Sequence, residues 1–220
     1  MNIENVLRSL YLQTKVIEDG GKKYVVKCYG SNVGLKWYFI SSVFRSFPYV
    51  ASPKARMSRE IDFMTYTWKK VRVPTIVDLD TDEKCIVREY IDGRIPNSVE
   101  DFVEVAHVLR EIHEEDFALG DTKYENFLIN NGVWVIDAEE AVRTQENELK
   151  AWDLLVYFLF ISYKFIQDVR SFERVVKEFL SIYVPDREVV LKALSLRNVQ
   201  LLSMFPPLHL TILRKAMSEF

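Results

Sequence analysis

The stretch GDTKYENFLI at residues 120–129, followed by VWVID at residues 133–137, decides the fold. Its two apolar runs flank Asn131 and Gly132, and an Asn-Gly pair between such runs predicts a tight β-hairpin. Asp121 and Asn126 come before this hairpin and Asp137 comes directly after it. Two carboxylates and an amide so placed form a compact group of hard oxygen ligands, the kind that Mg²⁺ prefers.

Asp121 comes immediately before the loop that leads into the hairpin, and its carboxylate is suited to accept a proton from an attacking hydroxyl group or to orient it. In a purely structural interpretation, Asp121 and Asn126 cap a loop and Asp137 ends a strand. That interpretation accounts less well for three such residues in register around one hairpin.

The segment DTKYENFLI resembles the catalytic loop of the protein-kinase superfamily, D-x-K-x-x-N followed by a strand, and IDA at residues 136–138 stands where D-F-G usually lies. The resemblance implies that Asp121 is the catalytic aspartate and Lys123 a γ-phosphate contact. It implies that Asn126 and Asp137 are metal ligands, and that the cofactors are ATP with Mg²⁺ or Mn²⁺.

Other matches to the superfamily lie where a kinase needs them. Lys27, in the run VVK, is similar to the strand lysine that contacts the α- and β-phosphates, and Glu60 on the next helix is placed to hold it in one rotamer. The run IVREYIDG at residues 86–93 resembles the hinge, where backbone groups of Glu89 and Ile91 would bind adenine. Asp153 matches the aspartate that braces the catalytic loop.

The resemblance and the periodicity together predict an α+β, two-lobed, protein-kinase-like fold. Residues 1–91 form the N-lobe, a small β-rich lobe with one helix at about 52–70, which Pro74 stops. Residues 92–220 form a mainly helical C-lobe with the catalytic loop, and the hinge lies at about residues 88–93. Ser98 followed by Asp101 predicts a capping box at the start of a C-lobe helix. The role of residues 166–220 stays open.

Departures from the superfamily narrow the resemblance to the small atypical kinases. These are the RIO family, the kinase subunit of the KEOPS tRNA-modification complex and the lipopolysaccharide-kinase-like group. Leu119-Gly120 replaces the usual His-Arg, and no Ala-Pro-Glu motif follows Asp137. No G-x-G-x-x-G motif precedes Lys27, which predicts that nucleotide binding is weak or relies on backbone near residues 12–14.

Composition is that of a folded globular chain, with 49% hydrophobic and 28% charged residues. Cys28 and Cys85 lie far apart in the sequence without metal-ligand spacing, so we predict neither a disulfide framework nor a zinc site. A reducing, cytoplasmic setting fits this usage. The apolar run at residues 154–163 is too short to span a membrane and predicts a buried helix.

Charge is unevenly distributed, with 15 basic and 10 acidic residues in 1–91 against 14 and 22 in 92–220. A polyanion or a partner on a basic N-lobe face is one interpretation, and a solvated basic face is the other. The candidate residues are Lys36, Arg45, Lys54, Arg56, Arg59, Lys69, Lys70 and Arg72.

Three functions remain open from the sequence. The first is an ATP-dependent phosphotransferase that acts on a Ser/Thr or other hydroxyl, with a protein or complex-bound substrate slightly preferred. The second is a nucleotide-binding switch or scaffold in a larger complex. The third, an RNA-binding module, rests on charge asymmetry alone, since we identify no stacking platform or RNA motif. Fold alone cannot choose the acceptor.

Overall fold

The computed structural model describes residues 13–30 and 44–220. An antiparallel four-stranded sheet in the order β1-β2-β4-β3 forms the first part of the molecule. Its strands are β1 (Thr14–Asp19), β2 (Lys22–Cys28), β3 (Ile76–Asp80) and β4 (Cys85–Glu89). Gly20 and Gly21, with φ of 56° and 75°, make the β1–β2 turn, a backbone conformation that glycine adopts without a steric penalty. The β-rich character predicted for this part of the chain is confirmed.

The two cysteines are joined, so the prediction of no disulfide is wrong. The β2–β4 register places Cys28 directly opposite Cys85, with the two Cα atoms 4.1 Å apart and a disulfide between the sulfurs. The separation of 57 positions in sequence gave no sign of this contact, because strand pairing rather than spacing brings the two cysteines together. The bond ties the strand that carries Lys27 to the strand that leads out of the sheet.

Helix α1 (Pro53–Met64) is shorter than the predicted helix over residues 52–70. The chain leaves the helix at Thr65, and Trp68 turns back so that its Nε1 donates to the Phe63 carbonyl at 2.9 Å. The backbone N–H groups of Lys69 and Lys70 then donate to Glu111 Oε1 at 2.9 and 2.8 Å. These long-range partners replace the hydrogen bonds of a helix, which a periodicity argument cannot foresee.

The rest of the described chain is mainly helical, as predicted. Helix α2 (Val99–Glu114) begins with the predicted capping box, in which Ser98 and Asp101 satisfy each other's backbone N–H groups. The further helices are α3 (Asn147–Lys164), α4 (Val169–Tyr183), α5 (Arg187–Ala193), α6 (Val199–Leu202) and α7 (Pro207–Met217). Two short 3₁₀ turns lie at Tyr124–Asn126 and Leu196–Asn198.

Two small antiparallel ribbons hold the loop that carries Asp121. Strands β6 (Phe127–Ile129) and β7 (Val133–Val135) form the predicted hairpin, and β5 (Phe117–Ala118) pairs with β8 (Val142–Arg143). The first ribbon lies between Asn126 and Asp137, and the second joins chain segments on either side of this region. The chain from 117 to 143 is therefore a closed unit.

Helix α3 forms the centre of the helical part, because its residues are buried on nearly every face from Leu149 to Ser162. Such a helix needs apolar residues all round, which explains the run at residues 154–163. Helices α2 and α4 pack against each other and complete this core with Phe102, Leu109 and Phe179. Over residues 13–30 and 44–220, no helix combines the length and the apolar character needed to cross a membrane.

Two of the residues predicted for the basic N-lobe face, Arg56 and Arg59, are not exposed. Arg56 is fully buried and donates to Glu139 and to the Gly30 carbonyl, and Arg59 is largely buried against Glu140. Both guanidinium groups are turned inward against the side chains of Glu139 and Glu140, so including them in an exposed basic surface was wrong. Arg45, Lys54, Lys69, Lys70 and Arg72 are exposed. Lys36 lies outside the described residues.

Candidate active site

Lys27 lies at the centre of a buried charge network. Its Nζ is 2.5 Å from Glu60 Oε2, 2.9 Å from Asp137 Oδ1 and 3.3 Å from Glu139 Oε2. The lysine is supplied by β2, Glu60 by α1, and the other two carboxylates by the segment after the β6–β7 hairpin. Three separate elements therefore converge on one ammonium group.

Glu60 has further partners that fix its position. Tyr29 donates its hydroxyl proton to Glu60 Oε2, and Arg88 Nη1 lies 3.1 Å from Glu60 Oε1. Glu60 itself is completely buried. A buried carboxylate with three donors keeps one orientation, so it can hold Lys27 in a single rotamer.

The electrostatics of the network favour its charged form at Lys27 and Asp137. Burial disfavours the Lys27 ammonium, but Asp137, Glu60 and Glu139 outweigh this and raise the lysine pKa above its ordinary value. Burial also acts against the Asp137 carboxylate, and Lys27 with Lys123 and Arg88 nevertheless lowers the pKa of Asp137 to about 2. For Glu60 burial is the largest influence, and the pKa of Glu60 is raised.

Asp121 lies on the other side of the loop and is partly exposed. Lys123 Nζ is 2.9 Å from Asp121 Oδ2, and Asn126 Nδ2 donates to the backbone carbonyl of Asp121 at 2.7 Å. The Ile136 N–H in turn donates to the Asn126 carbonyl at 2.9 Å, which fixes the chain next to Asp137. These contacts bring Asp121, Lys123, Asn126 and Asp137 into one group.

Asp153, at the buried start of α3, holds the backbone just before Asp121. Its carboxylate accepts the N–H groups of Leu119 at 2.6 Å and Gly120 at 2.7 Å, and lies 3.0 Å from His113 Nε2. The sequence predicted this supporting role for Asp153. The backbone at Gly120 has φ of 77° and passes so close to Phe47 that an added Cβ would lie 2.4 Å from its ring. Only glycine fits this position.

Comparison with solved structures identifies the architecture. An aminoglycoside phosphotransferase from Streptomyces rimosus is superimposed with a TM-score of 0.52, at 13% identity over 96% of this chain and 97% of that one. The choline kinase LicA from Streptococcus pneumoniae gives a TM-score of 0.51, at 14% identity over 99% of this chain and 98% of that one. The fold is protein-kinase-like. The predicted fold class is therefore confirmed.

Sequence comparison identifies a distant relative. This chain is 30% identical over 110 residues to a "Probable bifunctional tRNA threonylcarbamoyladenosine biosynthesis protein" of Methanocaldococcus jannaschii. The match covers 47% of this chain and 21% of the length of that protein. No family model matches the sequence.

The predicted hinge residues of the protein-kinase-like fold lie at the end of β4. Glu89 is half-buried, and its N–H donates to the Thr75 carbonyl at 3.0 Å. Ile91 is buried, and its carbonyl accepts the Gly93 N–H at 2.9 Å. Two backbone groups of these residues are thus used internally, and any adenine contact has to be made by the others.

Asn126 and Asp137 carry the donor atoms that a hard divalent cation needs. Because Asn126 Nδ2 is used by Asp121, its amide oxygen is the atom that remains for a ligand. Asp137 gives one oxygen to Lys27, and 30% of its side chain is exposed. One amide oxygen and one carboxylate, completed by phosphate oxygens and water, match the ligand set of Mg²⁺.

Four network residues escaped the sequence analysis: Tyr29, Arg56, Arg88 and Glu139. A signal existed for Arg88, since it lies two residues after Ile86 on β4 and so shares its inward face, where a charge needs a partner. Arg56 lies one helical turn before Glu60 on α1 and shares its face. Glu139 follows Asp137 by two residues, and only the folded chain reveals its contacts with Lys27, Arg56 and Gln13.

Proposed function

We propose that the chain is an ATP-dependent phosphotransferase that moves the γ-phosphate to a hydroxyl group. The observation that carries this proposal is the convergence of Lys27, Glu60 and Asp137 in one buried network, next to the loop of Asp121 and Asn126. Phosphoryl transfer requires little covalent chemistry from the protein, and it depends on fixed charges around the phosphates and one aligned hydroxyl.

In this proposal each side chain has one role. Lys27, held by Glu60, contacts the α- and β-phosphates, and Lys123 contacts the γ-phosphate. Asn126 and Asp137 hold Mg²⁺ or Mn²⁺, which when bound neutralises charge on the phosphate oxygens. Asp121 accepts the proton of the acceptor hydroxyl as that oxygen attacks. Glu89 and Ile91 receive the adenine through backbone groups.

In this proposal the site lies between two lobes, residues 1–91 and residues 92–220, which are joined by a hinge at residues 88–93. Adenine at the hinge would lie on one side of Lys27 and the acceptor on the other. We place the enzyme in the cytoplasm and leave open a complex-bound state, for which the tRNA-modification relative is the support. The exposed basic residues of the N-lobe form the contact with such a partner in this proposal.

The acceptor is a hydroxyl group, and a Ser or Thr on a protein partner is the form that the sequence resemblance prefers. Solved structures with the same fold include an aminoglycoside phosphotransferase and a choline kinase, whose names specify small acceptors. The fold therefore admits both kinds of acceptor. The choice depends on the surface beside Asp121.

Titration of ATP with and without Mg²⁺ tests the nucleotide site. Wild type should bind ATP more tightly with Mg²⁺, and Asp137→Asn should lose most of this difference because a metal ligand is removed. Asp82→Asn, on the exposed β3–β4 turn, is the matched control and should bind as wild type does. Metal-dependent binding without any turnover would favour the nucleotide-binding switch, and absence of ATP binding would contradict both.

A further inference from the structure

A pocket opens directly beside Asp121. It is lined by Asp121, Lys123, Trp152, Phe160, Leu201 and Met204, among others, and it has a volume of about 190 Å³. Trp152 and Phe160 come from α3, and Leu201 comes from α6. The C-terminal helices, for which the sequence predicted no role, thus form one wall of a cavity at the candidate catalytic residue.

The walls of this pocket are apolar apart from the end at Asp121. Phe44 packs on Trp152 with ring centroids 5.5 Å apart, and the Trp152 Nε1 is already bound to the Gly120 carbonyl and the Tyr49 hydroxyl. Tyr49 in turn donates to the Gly120 carbonyl at 2.7 Å. The polar atoms of both side chains therefore point to the loop backbone, and their rings face the cavity.

Asp121 and Lys123 are the charged groups among the described residues that line the pocket. They lie 2.9 Å apart and neutralise each other. A polycationic acceptor would meet one carboxylate, that of Asp121, and its remaining positive charges would be buried without an acidic partner, which is unfavourable. A peptide would place amide groups against apolar rings without hydrogen-bond partners, which is unfavourable for the same reason.

The size of the cavity sets the size of its occupant. An apolar protein cavity of roughly 150 Å³ holds a benzene molecule, and this pocket is somewhat larger and open on one side. It fits a single ring or a short branched chain with a polar group at one end. Met204 and Phe160 form the rim, with 45% and 37% of their surfaces exposed.

We propose that the pocket binds the acceptor, and that this acceptor is a small neutral alcohol whose hydroxyl is carried by an apolar group of about one ring. The inference rests on the proposed phosphotransferase function and specifies its substrate class. With the apolar group against Trp152 and Phe160, the hydroxyl lies at Asp121, at the charged end of the pocket.

The reaction at this site balances without a further reactant. The acceptor oxygen forms a bond to the γ-phosphorus while the bond from that phosphorus to the β–γ bridging oxygen breaks. ADP leaves with the electron pair of the broken bond, and Asp121 takes the hydroxyl proton. The product is the phosphate monoester of the apolar alcohol.

The test compares 3-phenyl-1-propanol with glycerol as acceptor, with ADP formation as the first readout. The phenyl alcohol should stimulate ADP formation at least tenfold more than glycerol at equal concentration. Phe160→Gln should raise the KM for the phenyl alcohol at least fivefold and leave the KM for ATP unchanged. Leu191→Gln, an exposed apolar residue on α5 outside the pocket lining, is the matched control and should behave as wild type does.

A second readout keeps the inference testable if chemistry is slow: saturation-transfer NMR of 3-phenyl-1-propanol binding to wild type and to Phe160→Gln. Binding that Phe160→Gln weakens supports the pocket. Three results would overturn the proposed acceptor class. They are equal stimulation of ADP formation by glycerol, phosphorylation of a Ser-containing peptide alone, and equal binding of the phenyl alcohol by wild type and Phe160→Gln. Turnover with glycerol only leaves the phosphotransferase intact and refutes the apolar acceptor, whereas metal-independent or absent ATP binding refutes the proposed function itself.

Discussion

The loop that carries Asp121 has two chemically different sides. Towards β2, the loop meets Lys27, Glu60 and Glu139, which are buried ionic groups with several partners each. Towards α3 and α6, it meets the rings and aliphatic side chains of the pocket beside Asp121. The first side is crowded with charge, and the second is a half-open apolar cavity.

In the proposed phosphotransferase, this contrast corresponds to two different tasks. Phosphate groups need fixed positive charge and metal ligands whatever the acceptor is, so the charged side can be shared by many phosphotransferases. An acceptor is recognised by shape and by the polarity of its surroundings, so the apolar side can differ from one enzyme to the next. The two sides should therefore respond differently to substitution.

Lys27→Met should have the largest effect on the charged side. It leaves Glu60, Asp137 and Glu139 close together without their shared ammonium, and removing one partner of a buried ion pair costs on the order of 3–5 kcal/mol. Chemical denaturation should show this loss. Lys22→Met, an exposed lysine on the same strand, is the control, and an equal loss in both variants would contradict the network.

Asp153→Asn tests whether the Asp153 carboxylate holds the backbone that leads to Asp121. An amide keeps one acceptor oxygen but places an NH₂ group against a backbone N–H of Leu119 or Gly120. An unsatisfied buried donor costs about 1–3 kcal/mol, and the loop that carries Asp121 should lose its position. We expect lower stability together with lower turnover, while Asp186→Asn, an exposed aspartate, should leave both unchanged.

Glu140 should give a smaller effect that depends on pH. It is buried beside Arg59, and burial raises the pKa of Glu140 from its ordinary value to about 8. The proton is held more tightly in the folded chain, so its stabilising contribution is complete below pH 4.5 and is lost as the pH rises through 8. The slope is at most about 1.4 kcal/mol per pH unit.

The Glu140→Gln variant removes this titration. Its free energy of unfolding, measured by urea denaturation between pH 5 and 9, should therefore vary less with pH than that of the wild type. Glu83→Gln, on the exposed β3–β4 turn, is the control and should keep the wild-type slope. Identical slopes in wild type and Glu140→Gln would show that Glu140 does not bind its proton more tightly in the folded chain.

Local patterns explain why much of the fold was predictable. The Asn-Gly hairpin, the capping box at Ser98 and the all-round apolar run of α3 each depend on neighbours in the sequence. The spacing of Asp121, Asn126 and Asp137 is also local, since one hairpin sets it. These features needed no knowledge of the tertiary structure.

Features that depend on distant partners were missed. The end of α1 at Met64 is set by Trp68 and by Glu111, 42 residues beyond Lys69. The disulfide requires the β2–β4 register, and the burial of Arg56 requires Glu139. The apolar pocket is lined by side chains that range from Phe44 to Met204 in the sequence. No local sequence pattern predicts that residues so far apart lie together.

The most direct measurement follows the phosphate groups of ATP by phosphorus NMR, with Mg²⁺ and 3-phenyl-1-propanol, for wild type and Asp121→Asn. The account predicts ADP and a new phosphate monoester with wild type. Asp121→Asn should bind ATP normally but turn over roughly 10²- to 10⁴-fold more slowly, as expected for removal of a general base. Equal turnover in the two proteins, or ATP binding without any product in wild type, would contradict the claim that Asp121 acts in a phosphotransferase.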